Sequence, residues 1–288
     1  MKTLVLGCNG QLGHSLADSV PGDMEFVGFD LPELNIADRP AVLDVCRQLR
    51  PDVIVNAAAY TAVDRAESEP EIAALANVEG PRNVAAAARD VGARLIHIST
   101  DAVFDGTATT PYKPDAATKP LNVYGRTKRD GELAALEESS GNAVVIRTSW
   151  LYSKTGHNFV KNMIRLMGER DELGVVADQI GSPTWADSLA EVVWAFAADH
   201  GHRGIFHWSD SGETSWHAFA VAIQEEACSL GLLDRSIPVR AIKTQDYPAD
   251  AVRPKYSVLD CSSTREAINI QPAQWRDNLR RMLEGMIE

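Results

Sequence analysis

Leu4-Val5-Leu6-Gly7-Cys8-Asn9-Gly10-Gln11-Leu12-Gly13 is the stretch on which the fold turns. An apolar run stops at a glycine, two further glycines follow at three-residue steps, and helical character begins at Gln11. Glycines there allow a tight turn and let the backbone approach a pyrophosphate. The helix N-terminus behind them offers unpaired N–H groups and a partial positive charge. The spacing, G-x-x-G-x-x-G, has one residue more than G-x-G-x-x-G. Its strand–loop–helix setting within the first 20 residues makes a dinucleotide cradle the stronger reading over a bare turn. Gly7, Asn9, Gly10, Gln11, Leu12 and Gly13 are therefore expected to contact a cofactor.

Outward from this loop the chain alternates. Residues 3–7, 26–30, 53–56, 94–99 and 143–147 read as strands. Residues 11–19, 39–49, 69–91 and 124–138 read as helices, with a Gly/Thr/Pro-rich loop over 105–120. Short strands separated by helices indicate βαβ units, hence an α/β fold with a Rossmann-like, doubly wound parallel sheet. Beyond residue 150 the pattern is less regular. Strands are expected near 175–176, 204–208 and 239–242, and helices over 188–199, 215–227, 262–268 and 275–287. The expected organisation is a dinucleotide-binding domain over 1–150 and a smaller α/β substrate-binding lobe over 151–288, with some segments interleaved.

Composition narrows the classes. Of 288 residues, 28 are Lys or Arg and 40 are Asp or Glu, a net charge of −12. That balance argues against a nucleic-acid surface, which usually reads basic. Hydrophobic residues make 45% and charged residues 24%, enough for a large core without staples. The apolar run at 4–6 is too short for a signal segment, and no stretch nears 18 apolar residues, so no membrane partner is expected. Cys8, Cys46, Cys228 and Cys261 are scattered without a CxxC pair, which reads as reduced thiols in a cytoplasmic protein. His200, His202 and His207 have no acidic or cysteine partner at ligand spacing, so no metal site is expected.

The chemistry sits at the strand ends. Asp30 closes the second strand, 17 positions after Gly13, where a carboxylate can accept from an adenosine ribose. Asn35-Ile36 can flank an adenine. After the third strand, Asn56-Ala57-Ala58-Ala59-Tyr60-Thr61 is small enough for a flat ligand to lie against backbone. His97-Ile98-Ser99-Thr100-Asp101 brings a hydroxyl and a carboxylate to the same edge. Tyr124-Gly125-Arg126-Thr127-Lys128 then puts Tyr124 and Lys128 on one helical face, 24 residues after Thr100.

These motifs resemble the extended short-chain dehydrogenase/reductase family over essentially the whole chain. The blocks 55–64, 66–70, 98–106, 121–125, 147–152, 178–184 and 253–260 resemble, more narrowly, the dTDP-4-dehydrorhamnose reductase family. The resemblance implies reduction of the 4-keto group of dTDP-4-dehydro-L-rhamnose by NADPH or NADH. Thr100, Tyr124 and Lys128 would be the catalytic set, with Tyr124 and Lys128 also touching the cofactor. It associates Thr100, Asp101 and Trp150 with the dTDP-sugar. The cofactor would meet Gly10, Gln11, Leu12, Asp30, Asn35, Ile36, Ala59, Tyr60 and Thr61, and by position Ala57 and Ala58. Two departures stand out: Ala102 where the family often has Tyr after S-T-D, and Ser15 where some members carry an acidic residue of an interfacial magnesium site. A monomer or homodimer without metal is the expectation.

Hydride delivery to a ketone leaves charge growing on oxygen, and a donor must neutralise it. A Tyr with its ordinary pKa of about 10 is slow to recycle, and a neighbouring Lys128 ammonium is expected to lower it. Arg253 and Lys255 are the expected cations for the diphosphate, with a solvated or capping charge as the competing reading. Two other readings of the fold are a catalytically silent regulatory subunit, resembling that of methionine adenosyltransferase, and a sugar-nucleotide epimerase or dehydratase. The intact Thr100, Tyr124 and Lys128 set weighs against the first.

Overall fold

The computed structural model describes residues 1–287. In the first half, β1 (Lys2–Leu6), α1 (Gln11–Asp18), β2 (Glu25–Phe29), α2 (Arg39–Leu49), β3 (Val53–Asn56), α3 (Val63–Ala66), α4 (Pro70–Ala74), α5 (Gly80–Val91), β4 (Arg94–Thr100), α6 (Val123–Glu138) and β5 (Ala143–Thr148) follow one another. The second half adds β6 (Leu151–Tyr152), α7 (Phe159–Glu169), β7 (Leu173–Val176), β8 (Ile180–Gly181), β9 (Thr184–Trp185), α8 (Ala186–Ala198), β10 (Gly204–His207), β11 (Thr214–Ser215), α9 (Trp216–Ser229), β12 (Val239–Ile242), α10 (Ser262–Ile268) and α11 (Trp275–Glu284).

Six strands form one parallel sheet in the order β10-β5-β4-β3-β1-β2. Its central strands are apolar on both faces because helices cover both. Leu12 and Leu16 of α1 pack with α8 on one face, and α2, α5 and α6 cover the other. Ala85, Ala86, Ala87 and Ala88 of α5 are all buried, so small side chains let that helix lie close to the sheet. Strand order reverses between β1 and β3, and there a crevice opens at the strands' carboxyl ends.

The helix boundaries have local causes. Asp38 caps α2 by accepting from Ala41 N at 3.1 Å, and Gly92 ends α5 in the left-handed region. The single helix expected over 69–91 is interrupted by a π-helical turn, Leu75–Glu79. Pro81 is the reason: lacking an N–H, it cannot bond the Asn77 carbonyl four residues back, and the ladder widens there.

After residue 150 a second core gathers Tyr152, Val160, Met163, Phe219, Ile223, Leu279 and Met282. The chain still returns to the main sheet, where β10 pairs with β5 and α8 packs on α1. Helix α7 is an element the sequence reading did not anticipate. No helix among the described residues is long and apolar enough to cross a membrane.

Candidate active site

The glycine turn is held by β2: Gly7 N and Cys8 N both donate to Phe29 O, at 2.9 and 3.3 Å. Gly7 has φ +83°, and a Cβ there would lie 2.6 Å from Ala58 N. At Gly13 a Cβ would fall 2.4 Å from the carbonyl oxygens of Gly7 and Cys8. Both glycines are thus required by close backbone approach. No side chain caps α1, whose N-cap is Gly10. Its first-turn N–H groups open onto a cleft of about 730 Å³. An uncapped helix start with a cleared backbone fits a pyrophosphate.

All the loop residues expected to bind a cofactor line this cleft: Gly7, Asn9, Gly10, Gln11, Leu12 and Gly13. So do Asp30, Asn35 and Ile36 on one side, and Ala57, Ala58, Ala59 and Thr61 on the other. The Asp30 carboxylate is fixed, accepting from Asn9 N at 2.9 Å and from Leu31 N at 2.8 Å. Tyr60 is not part of the lining, and its hydroxyl donates to Glu69 at 2.5 Å.

Thr100, Tyr124 and Lys128 meet in the same cleft. Asn122 caps α6 by accepting from Gly125 N at 2.7 Å, which sets the register of that face. Gly125 brings it against the end of β4, since a Cβ there would lie 2.2 Å from Ala102 O. Lys128 is 3% exposed and its ammonium donates to Ile98 O at 2.7 Å. Burial pushes the Lys128 amine down to about 8, while the Glu132 carboxylate holds it up. The Tyr124 phenol runs against the expectation. Burial pushes it up to about 12, with the Thr100 hydroxyl drawing it back and Asp101 adding to the rise. At neutral pH the phenol therefore keeps its proton and Lys128 keeps its charge.

Asp101 is buried, accepts from Thr100 Oγ1 at 3.1 Å, and does not line the cleft. Burial lifts its carboxyl to about 6 against hydrogen bonds from Ser257 and Thr100. Trp150 does line it, with φ +47° and its ring stacked on Trp216 at 3.6 Å. Gly181 makes room for that indole, 2.6 Å from where a Cβ would stand. Arg253 and Lys255 are outside the lining. Arg253 forms a bidentate pair with Asp64 at 2.8 and 2.7 Å, and Lys255 is exposed.

Several residues escaped the sequence reading. Asn158 and Ser153 donate to Gln11 Oε1, at 3.0 and 3.2 Å, and carry His157 to the cleft edge. Asn158 also caps α7, a signal the sequence did contain in Asn158-Phe159-Val160. Asn77, wholly buried in the π turn, bonds Tyr60 N, Tyr60 O and Thr127 Oγ1. Ser15, which the sequence set apart only for lacking an acidic group, is buried and donates to Asp187 at 2.6 Å, joining α1 to α8. Among the described residues no three His, Cys, Asp or Glu side chains are grouped to hold a metal.

A cleared glycine turn at the switch point, with a strand-end hydroxyl and a Tyr–Lys pair one turn apart in the same cleft, is the arrangement of the short-chain dehydrogenase/reductase class. The family model described as RmlD substrate binding domain matches residues 1–287, and the chain belongs to that family. It is 40% identical to the dTDP-4-dehydrorhamnose reductase of Sinorhizobium fredii, over 100% of this chain and 98% of that one. Among solved structures it is similar to a dTDP-4-dehydrorhamnose reductase from Clostridium acetobutylicum, at 37% identity and a TM-score of 0.94, covering 100% of both chains. The Bacillus anthracis dTDP-4-dehydrorhamnose reductase in complex with NADP matches at 38% identity and a TM-score of 0.93, covering 99% of each chain.

Proposed function

We infer that this protein reduces the 4-keto group of dTDP-4-dehydro-L-rhamnose to give dTDP-L-rhamnose, with NADPH or NADH as reductant. One observation carries the reading: Thr100, Tyr124 and Lys128 converge in the cleft that the glycine turn opens. The likeness to dTDP-4-dehydrorhamnose reductases over the full length supports it. The cofactor would lie on the turn 7–13 and supply the hydride.

The protein's own groups do the rest. Thr100 holds the ketone oxygen by turning its one O–H from Asp101 to the substrate, while its Oγ1 still accepts from Ala102 N. Tyr124 gives its proton to that oxygen as charge grows there. A phenol at about 12 holds its proton firmly in the free protein, so the Lys128 ammonium is needed to stabilise the phenolate left behind. Orientation supplies much of the rate, because the reacting carbons must come nearly into contact. Trp150, stacked on Trp216, offers a flat apolar wall for the sugar or base. The reading puts the reaction in the cytoplasm, with a monomer or homodimer as the working unit and no metal required.

The test mixes purified protein with dTDP-4-dehydro-L-rhamnose and NADPH, with a chelator present, and follows the absorbance of the reduced nicotinamide. Stoichiometric oxidation with dTDP-L-rhamnose formed is the expected result. Cofactor binding without turnover would replace the reading with a regulatory subunit. An isomerised or dehydrated sugar with no net cofactor consumed would replace it with an epimerase or dehydratase.

A further inference from the structure

The face of α6 that carries Tyr124 and Lys128 continues one turn further, at the same four-residue step, to Glu132. Glu132 is 1% exposed. Its Oε1 accepts from the Ser99 hydroxyl at 2.5 Å and from Arg147 Nε at 2.8 Å, and its Oε2 accepts from Arg147 Nη2 at 2.7 Å. Arg147 is buried too, over the Phe104 ring at 5.1 Å, and donates to Pro114 O. A dry ion pair gives little net stability over an apolar pair of the same shape. Stability alone is therefore a weak reason for one beside Lys128.

Its placement supplies a better one. The carboxylate stands on the helix of Lys128, while the guanidinium reaches it from β5, beyond β4 in the sheet. The negative end of the pair is thus the end near Lys128. Ser99, bonded to Glu132, directly precedes Thr100, so the pair also ties α6 to the strand that holds the ketone. The other groups about Lys128 supply no comparable support. His97 on β4 is buried and held well below its ordinary range, hence neutral. Tyr124 keeps its proton, Asn77 and Thr127 are uncharged, and the Asp101 carboxylate, bonded to Thr100 and Ser257, does not act on Lys128 as Glu132 does. The Ile98 carbonyl that Lys128 bonds is neutral as well.

We propose that Glu132, held by Arg147 and Ser99, is a positioning residue that keeps Lys128 an ammonium ion and fixes the register of α6 against Thr100. The proposal rests on the reductase reading for its role in turnover. Its effect on Lys128 can be measured without turnover.

Glu132→Gln alone leaves Arg147 as a buried unpaired cation and can unfold the chain. The working variant is therefore Glu132→Gln/Arg147→Met, which removes both charges and nearly keeps the volume. Lysine side chains labelled with carbon-13 are titrated by NMR in wild type and variant, and Lys128 is assigned from its absence in Lys128→Arg. Loss of a neighbouring carboxylate is expected to lower the Lys128 midpoint by about one pH unit. The alkaline limb of kcat/KM is expected to move down with it. Ser99→Ala, which leaves the ion pair in place, is expected to reduce kcat at every pH with the midpoint unmoved.

A midpoint that stays at the wild-type value in a folded double variant overturns the proposal. So does an equal shift in Ser99→Ala, which would assign the effect to packing. Failure of wild type to reduce the keto-sugar would sink the reductase reading, while the NMR midpoint would still decide this one.

Discussion

Tyr124 and Lys128 share a helical face, yet their substitutions should separate. On its proposed role, Tyr124→Phe removes a proton donor that matters in the transition state and little in the bound cofactor. Turnover should fall to near background, with the cofactor dissociation constant within a few-fold of wild type by fluorescence titration. Lys128→Met should lower turnover and weaken cofactor binding together, since its proposed role is to support both the phenolate and the cofactor; an unchanged dissociation constant would remove the cofactor contact. With Lys128 at about 8, the ammonium is present below that pH and lost above it. The profile of kcat/KM should therefore be flat near neutrality and fall as pH rises through about 8, as free-enzyme groups govern it. Asp30 is a different case. Its carboxylate is held by Asn9 N and Leu31 N, so it cannot swing freely from a 2′-phosphate. NADH should be used at least comparably to NADPH, and Asp30→Ala should raise the NADPH-to-NADH ratio of kcat/KM. A strong NADPH preference unchanged by the substitution would show that Asp30 does not face the ribose.

The π turn and α6 fit together as elements. A Cβ on Gly131 would lie 1.9 Å from Asn77 O, the carbonyl that Pro81 leaves without its α-helical partner. The two backbones touch because one side lacks a side chain and the other lacks an N–H. Gly131→Ala should cost about 1–3 kcal/mol in urea unfolding, in the range of overpacked cores. It should also lower kcat, because α6 carries Tyr124. A variant as stable as wild type would show that the contact is not tight. Pro81 is visible in the sequence, but an alanine-rich stretch reads as continuous helix. The carbonyl's fate depends on Gly131, 54 residues away.

Across the whole molecule, Gln11 joins the glycine turn to the loop that enters the second core. Its Oε1 takes bonds from Asn158 and Ser153, and Lys154 pairs with Asp18 at 3.5 Å across the same boundary. Gln11→Ala leaves the Asn158 bonds to Ser153 O and Lys161 N in place, so α7 should stay capped. The loop 153–158 should loosen over the cradle instead. Cofactor affinity should weaken a few-fold, and limited proteolysis should cut this loop sooner. Equal proteolysis with and without the substitution would show that the bonds do not hold the loop.

The parallel sheet and the cradle were legible from residues 4–13 and the strand–helix alternation, because local spacing alone dictates a turn, a helix start and a buried strand. The Tyr124–Lys128 face was legible too, since a four-residue step is a property of any helix. What the sequence could not decide is what depends on partners distant in the chain. The strength of the Tyr124 acid is one such property: spacing put a cation nearby and suggested a lowered pKa, whereas burial raised it to about 12. Arg253 looked like a free cation until Asp64, 189 residues away, took its guanidinium. Gly204–His207 reads as part of a second lobe, yet it closes the edge of the first sheet. Desolvation and pairing are set by which surfaces meet, and only the folded chain brings those surfaces together.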